Sequence, residues 1–328
     1  MKAVYASTVN HDDPLAALAV GEQPEPQARP FWSTVSVRAV TVNHHDVWSL
    51  QGVGLAAEQT PMILGTDAVG ILDEDIPGKH GLKAGSEVVL YTFVGTDGAG
   101  VAPGERRTIL SEKYPGTMAE KTSVPSANVF AKPANLTTAE AAALGTSWLT
   151  AYSLLFEAAG IKPGDSVLIQ GAGGGVSTAA IQLAHAAGLE VFVTSRDAGK
   201  RSKALKLGAN VALEIGARLP RKVDAVIESV GAATWGHSMR SVRPGGTIAI
   251  CGATTGDQPG AELTRFVLPG HPRAGLHDGF ARGFRTIAAL RGARRPASGD
   301  RFRGQRVGRR SRGVRQNDRR RHVRQDRY

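Results

Sequence analysis

The spacing of apolar residues divides the chain into stretches with strand-like and helix-like patterns. A continuous apolar run at 167–169 is short enough for a strand covered on both faces, and a glycine-rich turn follows it. From Val176 the apolar residues recur with helical spacing up to Gly188, a residue that suits a helix C-cap. A second apolar run follows at 191–193. Strand, turn, helix and strand within about thirty residues predict a right-handed βαβ unit.

The stretches on either side of this unit differ in their periodicity. Little helical spacing occurs before about residue 135, where strands are predicted at 1–7, 35–40, 68–72 and 87–93. Two helices, at 139–144 and 147–159, lead into the unit, and Thr137 or Thr138 caps the first. Strands at 225–227 and 247–251 follow it. The sequence therefore predicts an α/β protein with a compact β-rich domain at 1–135 and a doubly wound parallel-sheet domain at 136–265.

The glycine-rich turn has the chemistry of a phosphate site. It consists of Gly171, Ala172, Gly173, Gly174, Gly175 and Val176, so that free N–H groups and a helix N-terminus meet in one place. The match to G-x-G-x-x-G is partial because Val176 stands at the third glycine position. The alternative is a tight turn that only lets the helix pack closely on the sheet. Ser177, at a further glycine-like position, predicts slightly looser helix packing.

The end of the second strand of the unit predicts the cofactor. An acidic residue there would accept a hydrogen bond from the ribose of NAD, whereas Ser195 and Arg196 suit the 2′-phosphate of NADP. Lys200, one turn into the next helix, adds a second positive charge. The sequence therefore predicts NADPH. The alternative is that Arg196 is a solvated loop residue and that Asp197 binds the ribose.

Composition limits the class of protein. The chain has 328 residues, 41% of them hydrophobic, and a single cysteine, which excludes a disulfide framework and a cysteine-rich zinc site. No run of about 18 apolar residues occurs, so we expect no membrane span. These features predict a cytoplasmic protein.

The positive charge is confined to the end of the chain. Residues 271–328 contain 18 arginines, no lysine and 4 acidic residues, although the net charge of the whole chain is only +11. Three interpretations of the arginine-rich segment 266–328 compete. A shifted reading frame fits the composition best. The alternatives are a nucleic-acid-binding arm and a solvated extension that has no function. In each case we expect disorder and early tryptic cleavage back to Arg265 or Arg273.

Six stretches taken in order resemble the medium-chain dehydrogenase/reductase superfamily, and most closely its zinc-less quinone oxidoreductase branch. They are VNHHDVWSLQG at 42–52, PMILGTDAVG at 61–70, YPGTMAE at 114–120, AAALGTSWLTAY at 141–152, IKPGDSVLIQGAGGGV at 161–176 and RPGGTIAICG at 243–252. The resemblance covers residues 1 to about 265 and implies a GroES-like catalytic domain followed by a Rossmann domain. In this family the last Rossmann strand commonly pairs across a dimer, so a homodimer is implied if the C-terminal segment follows the family pattern.

The resemblance also shows where a catalytic zinc would be bound. The three ligand positions of the zinc alcohol dehydrogenases fall on Asn43, Thr66 and Thr146, none of which is a residue type that binds zinc. His44 and His45 are adjacent on a segment that we interpret as strand-like, so their side chains would point to opposite sides. We therefore predict no metal.

An enzyme of this family without zinc suits a substrate that delocalises its own negative charge, such as a quinone or an enone. The resemblance places the substrate against Asn43, Trp48 and Thr66, and the nicotinamide half of NADPH against Thr150, Val230, Gly231, Gly252 and Ala253. Asn43 and Thr66 could instead only stabilise turns. Tyr91, Tyr152 and His45 are candidate proton donors. The alternative function is a catalytically impaired nucleotide-binding protein with a basic tail that associates with nucleic acid.

Overall fold

The computed structural model describes residues 1–79, 81–95, 97–99 and 106–260, together with the backbone of a strand at 273–276. Within these ranges no helix is long and apolar enough to cross a membrane. The described part of the chain falls within one compact unit, Met1–Arg294, that contains both of the domains expected from the sequence.

The first part of the chain folds into antiparallel sheets. Its strands are β1 (Lys2–Ala6), β2 (Leu18–Glu22), β3 (Trp32–Ala39), β4 (Met62–Ile63), β5 (Val69–Leu72), β6 (Glu87–Leu90), β7 (Phe93–Gly95), β8 (Arg107–Ile109), β9 (Lys121–Pro125) and β10 (Val129–Ala131). The largest sheet has the order β10-β6-β5-β3-β9, while β2-β1-β4 and β7-β8 form smaller ones. Val35, Leu72 and Val88 lie in the core of this domain, fully buried. The β-rich domain expected from the sequence is therefore present.

Two elements of this domain differ from the sequence expectation. The single strand expected at 87–93 is two strands, β6 and β7. The backbone N–H of Tyr91, between them, bonds to the carbonyl oxygen of Asn128, and β7 then leaves the large sheet and pairs with β8. The segment around His44 and His45, interpreted as strand-like, is the helix α1 (His44–Leu50). The Asp46 carboxylate accepts the N–H of Asn43 over 2.7 Å, a capping interaction that starts the helix.

A helical segment links the two domains. It consists of α2 (Thr138–Ala142), a π-helical stretch (Leu144–Trp148), α3 (Leu149–Tyr152) and a second π-helical stretch (Ser153–Ala158). Thr137 caps α2 by accepting the N–H of Glu140 over 3.3 Å, as the sequence indicates. The two helices expected at 139–144 and 147–159 are thus nearly continuous. The wider π turns, which often occur at functional sites, change the direction of side chains between them.

The second domain is a six-stranded parallel sheet flanked by helices. Its elements are β11 (Ser166–Ile169), α4 (Gly175–Ala186), β12 (Glu190–Thr194), α5 (Ala198–Lys206), β13 (Val211–Leu213), β14 (Val223–Glu228), α6 (Ala232–Ser241), β15 (Val242–Ile250) and β16 (Arg273–Leu276). The strand order β13-β12-β11-β14-β15-β16 reverses between β11 and β14. In doubly wound sheets a ligand binds at this reversal, beyond the carboxyl ends of the strands.

Strand β16 lies in the segment expected from its composition to be disordered. Its four residues pair in parallel with β15, from Thr247–Arg273 to Ile250–Leu276. The expectation of disorder is therefore wrong for these four residues, because pairing satisfies backbone groups that the edge of β15 would otherwise expose. The rest of 266–328 lies outside the described residues.

Candidate functional site

The glycine-rich turn between β11 and α4 has a backbone that depends on glycine. Gly171 and Gly173 adopt φ angles of +72° and +106°, a region that residues with a side chain rarely adopt. Ala172 donates its N–H to the carbonyl of Thr194 over 2.8 Å. This bond ties the turn to the end of β12, so that both predicted parts of the cofactor site are held together.

Ser177 reinforces the turn, in place of the looser packing expected from the sequence. Its side chain is buried, and its Oγ lies 3.0 Å from the carbonyl oxygen of Gly171 and 3.1 Å from that of Gly174. The hydroxyl therefore fills the space above the turn and bonds back to it, which a glycine could not do.

The turn leaves unpaired donors at the carboxyl end of β11. The N–H groups of Gly173 and Gly174 have no acceptor among the residues that the structure describes. A Cβ at Gly173 would come within 2.6 Å of Lys200 Cδ, and a Cβ at Gly175 within 2.6 Å of Ser147 Oγ. Lys200 and Ser147 thus line the rim of a cradle that glycine keeps open. Free N–H groups at a helix N-terminus beside a lysine fit a pyrophosphate.

Side chains at the end of β12 differ in whether they are already engaged. The Asp197 carboxylate caps α5 by accepting the N–H of Lys200 over 2.7 Å. Arg201 donates to the carbonyl of Ser195 over 2.7 Å. Arg196 is exposed, and in the described part of the chain neither its guanidinium nor the Lys200 ammonium pairs with a carboxylate. Arg196 and Lys200 are therefore free to bind an anion, whereas one oxygen of the Asp197 carboxylate already accepts the bond that caps α5.

A buried aspartate lies among the three residues that the resemblance aligns with zinc ligands. The Asp67 carboxylate is fully buried and accepts hydrogen bonds from Thr41, Asn43 and Thr146, the last two over 2.9 and 2.7 Å. Asn43 also donates to Thr66 Oγ1 over 3.1 Å, and Thr66 Oγ1 lies 2.9 Å from Thr146 Oγ1. Asn43, Thr66, Thr146 and Asp67 thus form one hydrogen-bonded group, which we call the Asp67 cluster.

The electrostatics of the cluster follow from its burial. Burial raises the pKa of Asp67 to about 6, while the hydrogen bonds from Thr41, Thr146 and Asn43 limit the rise. Burial also raises the pKa of Asp46, whose nearby carboxylate adds to the effect on Asp67. At neutral pH the cluster therefore contains a buried carboxylate that is stabilised by neutral donors.

Two contacts join residues expected on the substrate side to the turns expected to bind the nucleotide. Ser147 Oγ, which lies beside Gly175 at the start of α4, is 3.5 Å from Asn43 Oδ1. The ring of Trp48 approaches Gly252, where a Cβ would lie 3.6 Å from Trp48 Cη2. The side chains expected on the substrate side thus lie next to residues expected on the cofactor side.

The turns after β14 and β15 pack against each other and against the glycine-rich turn. Gly231 has a φ of +94°, and a Cβ there would come within 2.8 Å of Ala253 Cα. A Cβ at Gly171 would likewise come within 2.8 Å of Val230 Cγ2. The structure therefore brings the three loops expected to hold the cofactor to one place.

Other residues singled out from the sequence lie in varied surroundings. Thr150 is half-buried on α3, and Val176 is half-buried against the main core. Tyr91 is a core residue with 1% of its surface exposed, and Tyr152 packs on Phe156 with ring centroids 5.1 Å apart. His45 Nε2 lies 3.2 Å from a carboxylate oxygen of Glu112. Burial alone would raise the pKa of Glu112, but the hydrogen bonds from His45 and Thr108 lower it below its ordinary value.

Sequence reasoning missed Asp67 and Ser147. Asp67 stands inside the otherwise apolar stretch PMILGTDAVG, and a charge in such a stretch must be hydrogen-bonded if it is buried. That signal could have identified it. Ser147 carries no comparable signal, because its position follows from the π-helical turn.

The Asp67 cluster does not fit a zinc ion. An amide and two hydroxyls stand at the three ligand positions, whereas zinc sites draw on cysteine, histidine and carboxylate. Elsewhere in the described residues, no three or more His, Cys, Asp or Glu side chains are grouped so as to hold a metal. The Asp67 carboxylate itself already accepts hydrogen bonds from Thr41, Asn43 and Thr146.

Two family models match the chain. Residues 29–134 match the alcohol dehydrogenase GroES-like domain, and residues 175–272 match the zinc-binding dehydrogenase domain. The second match continues past residue 265, where the resemblance seen in the sequence ends, and it stops just before β16.

Relatives and solved structures agree with these models. A crotonyl-CoA reductase of Streptomyces avermitilis is 28% identical, and the match covers 74% of this chain and 66%, slightly less than two thirds, of that protein. The solved structure of an NAD-dependent alcohol dehydrogenase is 30% identical in sequence and has a TM-score of 0.76. The match covers 89% of this chain and 90% of the chain in that structure. A crotonyl-CoA carboxylase/reductase in complex with NADP is 26% identical with a TM-score of 0.76, covering 88% of this chain and 85% of its own.

Three observations indicate one family. They are the order of the two matched domains, the six-stranded sheet whose strand order reverses between β11 and β14, and the similarity over most of the chain. The chain belongs to the medium-chain dehydrogenase/reductase superfamily.

Proposed function

We propose that the chain is an NADPH-dependent oxidoreductase that reduces a conjugated carbonyl compound, such as a quinone or an enone, without zinc. The observation that carries this proposal is the Asp67 cluster. Its amide and hydroxyl groups bond to one another and to Asp67 at the positions where related enzymes hold a Lewis acid. A simple ketone would lack its usual stabiliser there, whereas a conjugated carbonyl spreads the developing charge over its own atoms.

The cofactor assignment is supported by the free donors and cations of the second domain. Gly173 and Gly174 would bind the pyrophosphate through their N–H groups, and Arg196 and Lys200 would bind the 2′-phosphate. The relatives do not agree among themselves, because one is described with NADP and another as NAD-dependent. The engaged Asp197 and the free Arg196 favour NADPH in this chain.

The bound cofactor would supply a hydride to the substrate. Trp48 would limit the space beside the loop at Gly252, so that a planar substrate lies flat against it. Ser147 would donate its hydrogen to the substrate oxygen, since its bond to Asn43 Oδ1 is long at 3.5 Å and is easily exchanged. The Asp67 cluster would hold Asn43 in one amide orientation. The proton that completes the reduction would come from solvent.

A substrate comparison tests the proposal. Oxidation of NADPH would be followed with a simple quinone, a linear enone, an enoyl thioester, and an unconjugated ketone of similar size, each with and without a zinc chelator. We expect turnover with at least one conjugated compound, none with the unconjugated ketone, and no effect of the chelator. Reduction of the unconjugated ketone that the chelator abolishes would contradict the proposal.

A further inference from the structure

The proposed function leaves one buried carboxylate of the second domain without a role. Glu228 is the last residue of β14 and is fully buried. Its Oε1 accepts the N–H groups of Val230 and Gly231 over 2.8 and 3.1 Å, and Thr234 Oγ1 lies 2.9 Å from the same oxygen. Its Oε2 lies 2.6 Å from Ser238 Oγ. Glu228 is thus bonded directly to the turn proposed to hold the nicotinamide half of the cofactor.

The hydrogen bonds around Glu228 all have the same direction. His237 Nε2 lies 2.9 Å from the carbonyl oxygen of Ala217, so this nitrogen carries the hydrogen and Nδ1 is an acceptor. Gln170 Nε2 donates to that Nδ1 and to Ser238 Oγ, each over 2.9 Å. The Ser238 hydroxyl therefore donates its own hydrogen to Glu228. Every bond in this series runs towards Glu228, whose two oxygens accept from the N–H groups of Val230 and Gly231 and from the hydroxyls of Thr234 and Ser238.

The Glu228 carboxylate has no counterion in the described part of the protein. All groups that bond to Glu228 there are neutral N–H and O–H donors, and no lysine or arginine pairs with it. Burial, and then the charge of Glu228, raise the pKa of the adjacent Cys251 thiol to about 12. A buried carboxylate whose bonded partners are all neutral would be stabilised further by a cation bound at the adjacent turn.

We propose that Glu228 stabilises the oxidised, cationic nicotinamide ring relative to the reduced, neutral ring. This inference rests on the proposed NADP(H) site. When the ring gives up a hydride, two electrons leave it and a positive charge remains, while the substrate gains the hydride and then a proton. A fixed negative charge under the Val230–Gly231 turn favours that change already in the transition state, because the charge is preorganised in a site of low dielectric constant. Glu228 acts through the turn and is a positioning residue.

The experiment compares the dissociation constants of NADP⁺ and NADPH in the full chain and in Glu228→Gln. The amide keeps the size of the side chain and removes its charge. We expect NADP⁺ affinity to fall roughly tenfold relative to NADPH affinity, which is the effect of unit charges roughly 12 Å apart at an effective dielectric constant of about 20. Asp224→Asn is the matched control: it removes a carboxylate at the opposite end of β14, where Arg243 binds it over 2.7 Å. This control should leave the ratio unchanged.

A second measurement needs no substitution. The unaltered protein would be titrated with an NADP analogue that carries a neutral benzamide ring in place of the pyridinium. We expect it to bind roughly tenfold more weakly than NADP⁺ for the same electrostatic reason. Equal affinities for the two dinucleotides, or an unchanged NADP⁺/NADPH ratio in a folded Glu228→Gln, would overturn the role of Glu228 alone. A failure of every dinucleotide to bind would overturn the proposed function as well.

Discussion

Single hydrogen bonds decide which charged side chains near the glycine-rich turn can recognise a cofactor. Asp197 and Arg196 are neighbours in the sequence, and either could contact the ribose. The Asp197 carboxylate is used to cap α5 through the N–H of Lys200, whereas the Arg196 side chain is exposed. In the proposed NADPH site, the preference for NADPH would therefore depend on this helix cap as well as on the arginine itself.

Arg196→Ala should weaken NADPH binding roughly tenfold or more and leave NADH nearly unchanged, because a charge-assisted bond to phosphate contributes about 1.5 to 3 kcal/mol. Fluorescence titration with both cofactors measures this. Arg221→Ala is the matched control, since Arg221 pairs with Glu190 and lies just before β14. Equal losses for NADPH and NADH in Arg196→Ala would argue against the 2′-phosphate contact.

Asp67 should make stability depend on pH in an unusual direction. Its pKa of about 6 in the fold lies above its ordinary value of 3.8, so the folded state holds the proton more tightly than the unfolded state. The free energy of unfolding should then fall as pH rises from about 4 to about 6, by about 1 to 3 kcal/mol, and level off above that range. Only above that range is Asp67 ionised in the folded state, where burial makes the ionised form unfavourable.

Asp67→Asn should remove this part of the pH dependence. Urea unfolding at a series of pH values between 4 and 8 measures it in both proteins. Asp12→Asn, at a carboxylate that is 98% exposed, is the control for the loss of one surface charge. A variant at position 67 that keeps the full slope of the original protein would show that the titration belongs to other groups.

At the scale of elements, a π-helical stretch couples the two halves of the site. Thr146 and Ser147 lie side by side in the stretch Leu144–Trp148. Thr146 bonds to Asp67, while Ser147 reaches Gly175 at the start of α4 and approaches Asn43. One π-helical turn therefore contacts both the Asp67 cluster and the glycine-rich turn at Gly175.

Gly175→Ala should disturb the cradle without unfolding the protein. The new Cβ would come within 2.6 Å of Ser147 Oγ, and we expect NADPH binding to weaken by about 1 to 3 kcal/mol as the cradle shifts. Adding Ser147→Ala should restore binding, because the nearest remaining atom, Ser147 Cβ, would lie at 3.4 Å. Gly236→Ala in α6 is the control and should stabilise the fold by up to about 1 kcal/mol. If Ser147→Ala brings no recovery, steric contact is not the cause.

At the scale of the whole molecule, the parallel sheet depends on residues beyond the second family match. Strand β16 begins at Arg273, just after the match ends at residue 272, and covers the edge of β15. An uncovered edge strand exposes unpaired N–H and C=O groups and promotes aggregation. The boundary between family-like and divergent sequence therefore lies later than residue 265.

Two truncations test the importance of β16. A chain that ends after Leu276 keeps the β15–β16 pair, so we expect it to stay monodisperse and to bind NADPH like the full chain. A chain that ends after Gly260 exposes the edge of β15, and we expect it to unfold at a lower temperature and to aggregate. Size-exclusion chromatography and thermal unfolding compare the two. Identical behaviour of both truncations would show that β16 contributes nothing to the sheet.

The assignment of Asn43, Thr66 and Thr146 to zinc-ligand positions came from the family resemblance. Local patterns in the sequence were sufficient for the β-rich domain, the βαβ unit and the glycine-rich turn. Each of these depends on residue type and spacing within a short segment. Only the tertiary structure decided that Asn43 and Thr146 bond to one buried aspartate and that Thr66 bonds to both of them. It also decided that Ser147 contacts both halves of the site, that a series of donors ends at Glu228, and that Arg273–Leu276 pairs with β15. These features join residues far apart in the chain, and the direction of a hydrogen bond or the cost of a buried charge exists only once packing has removed the water.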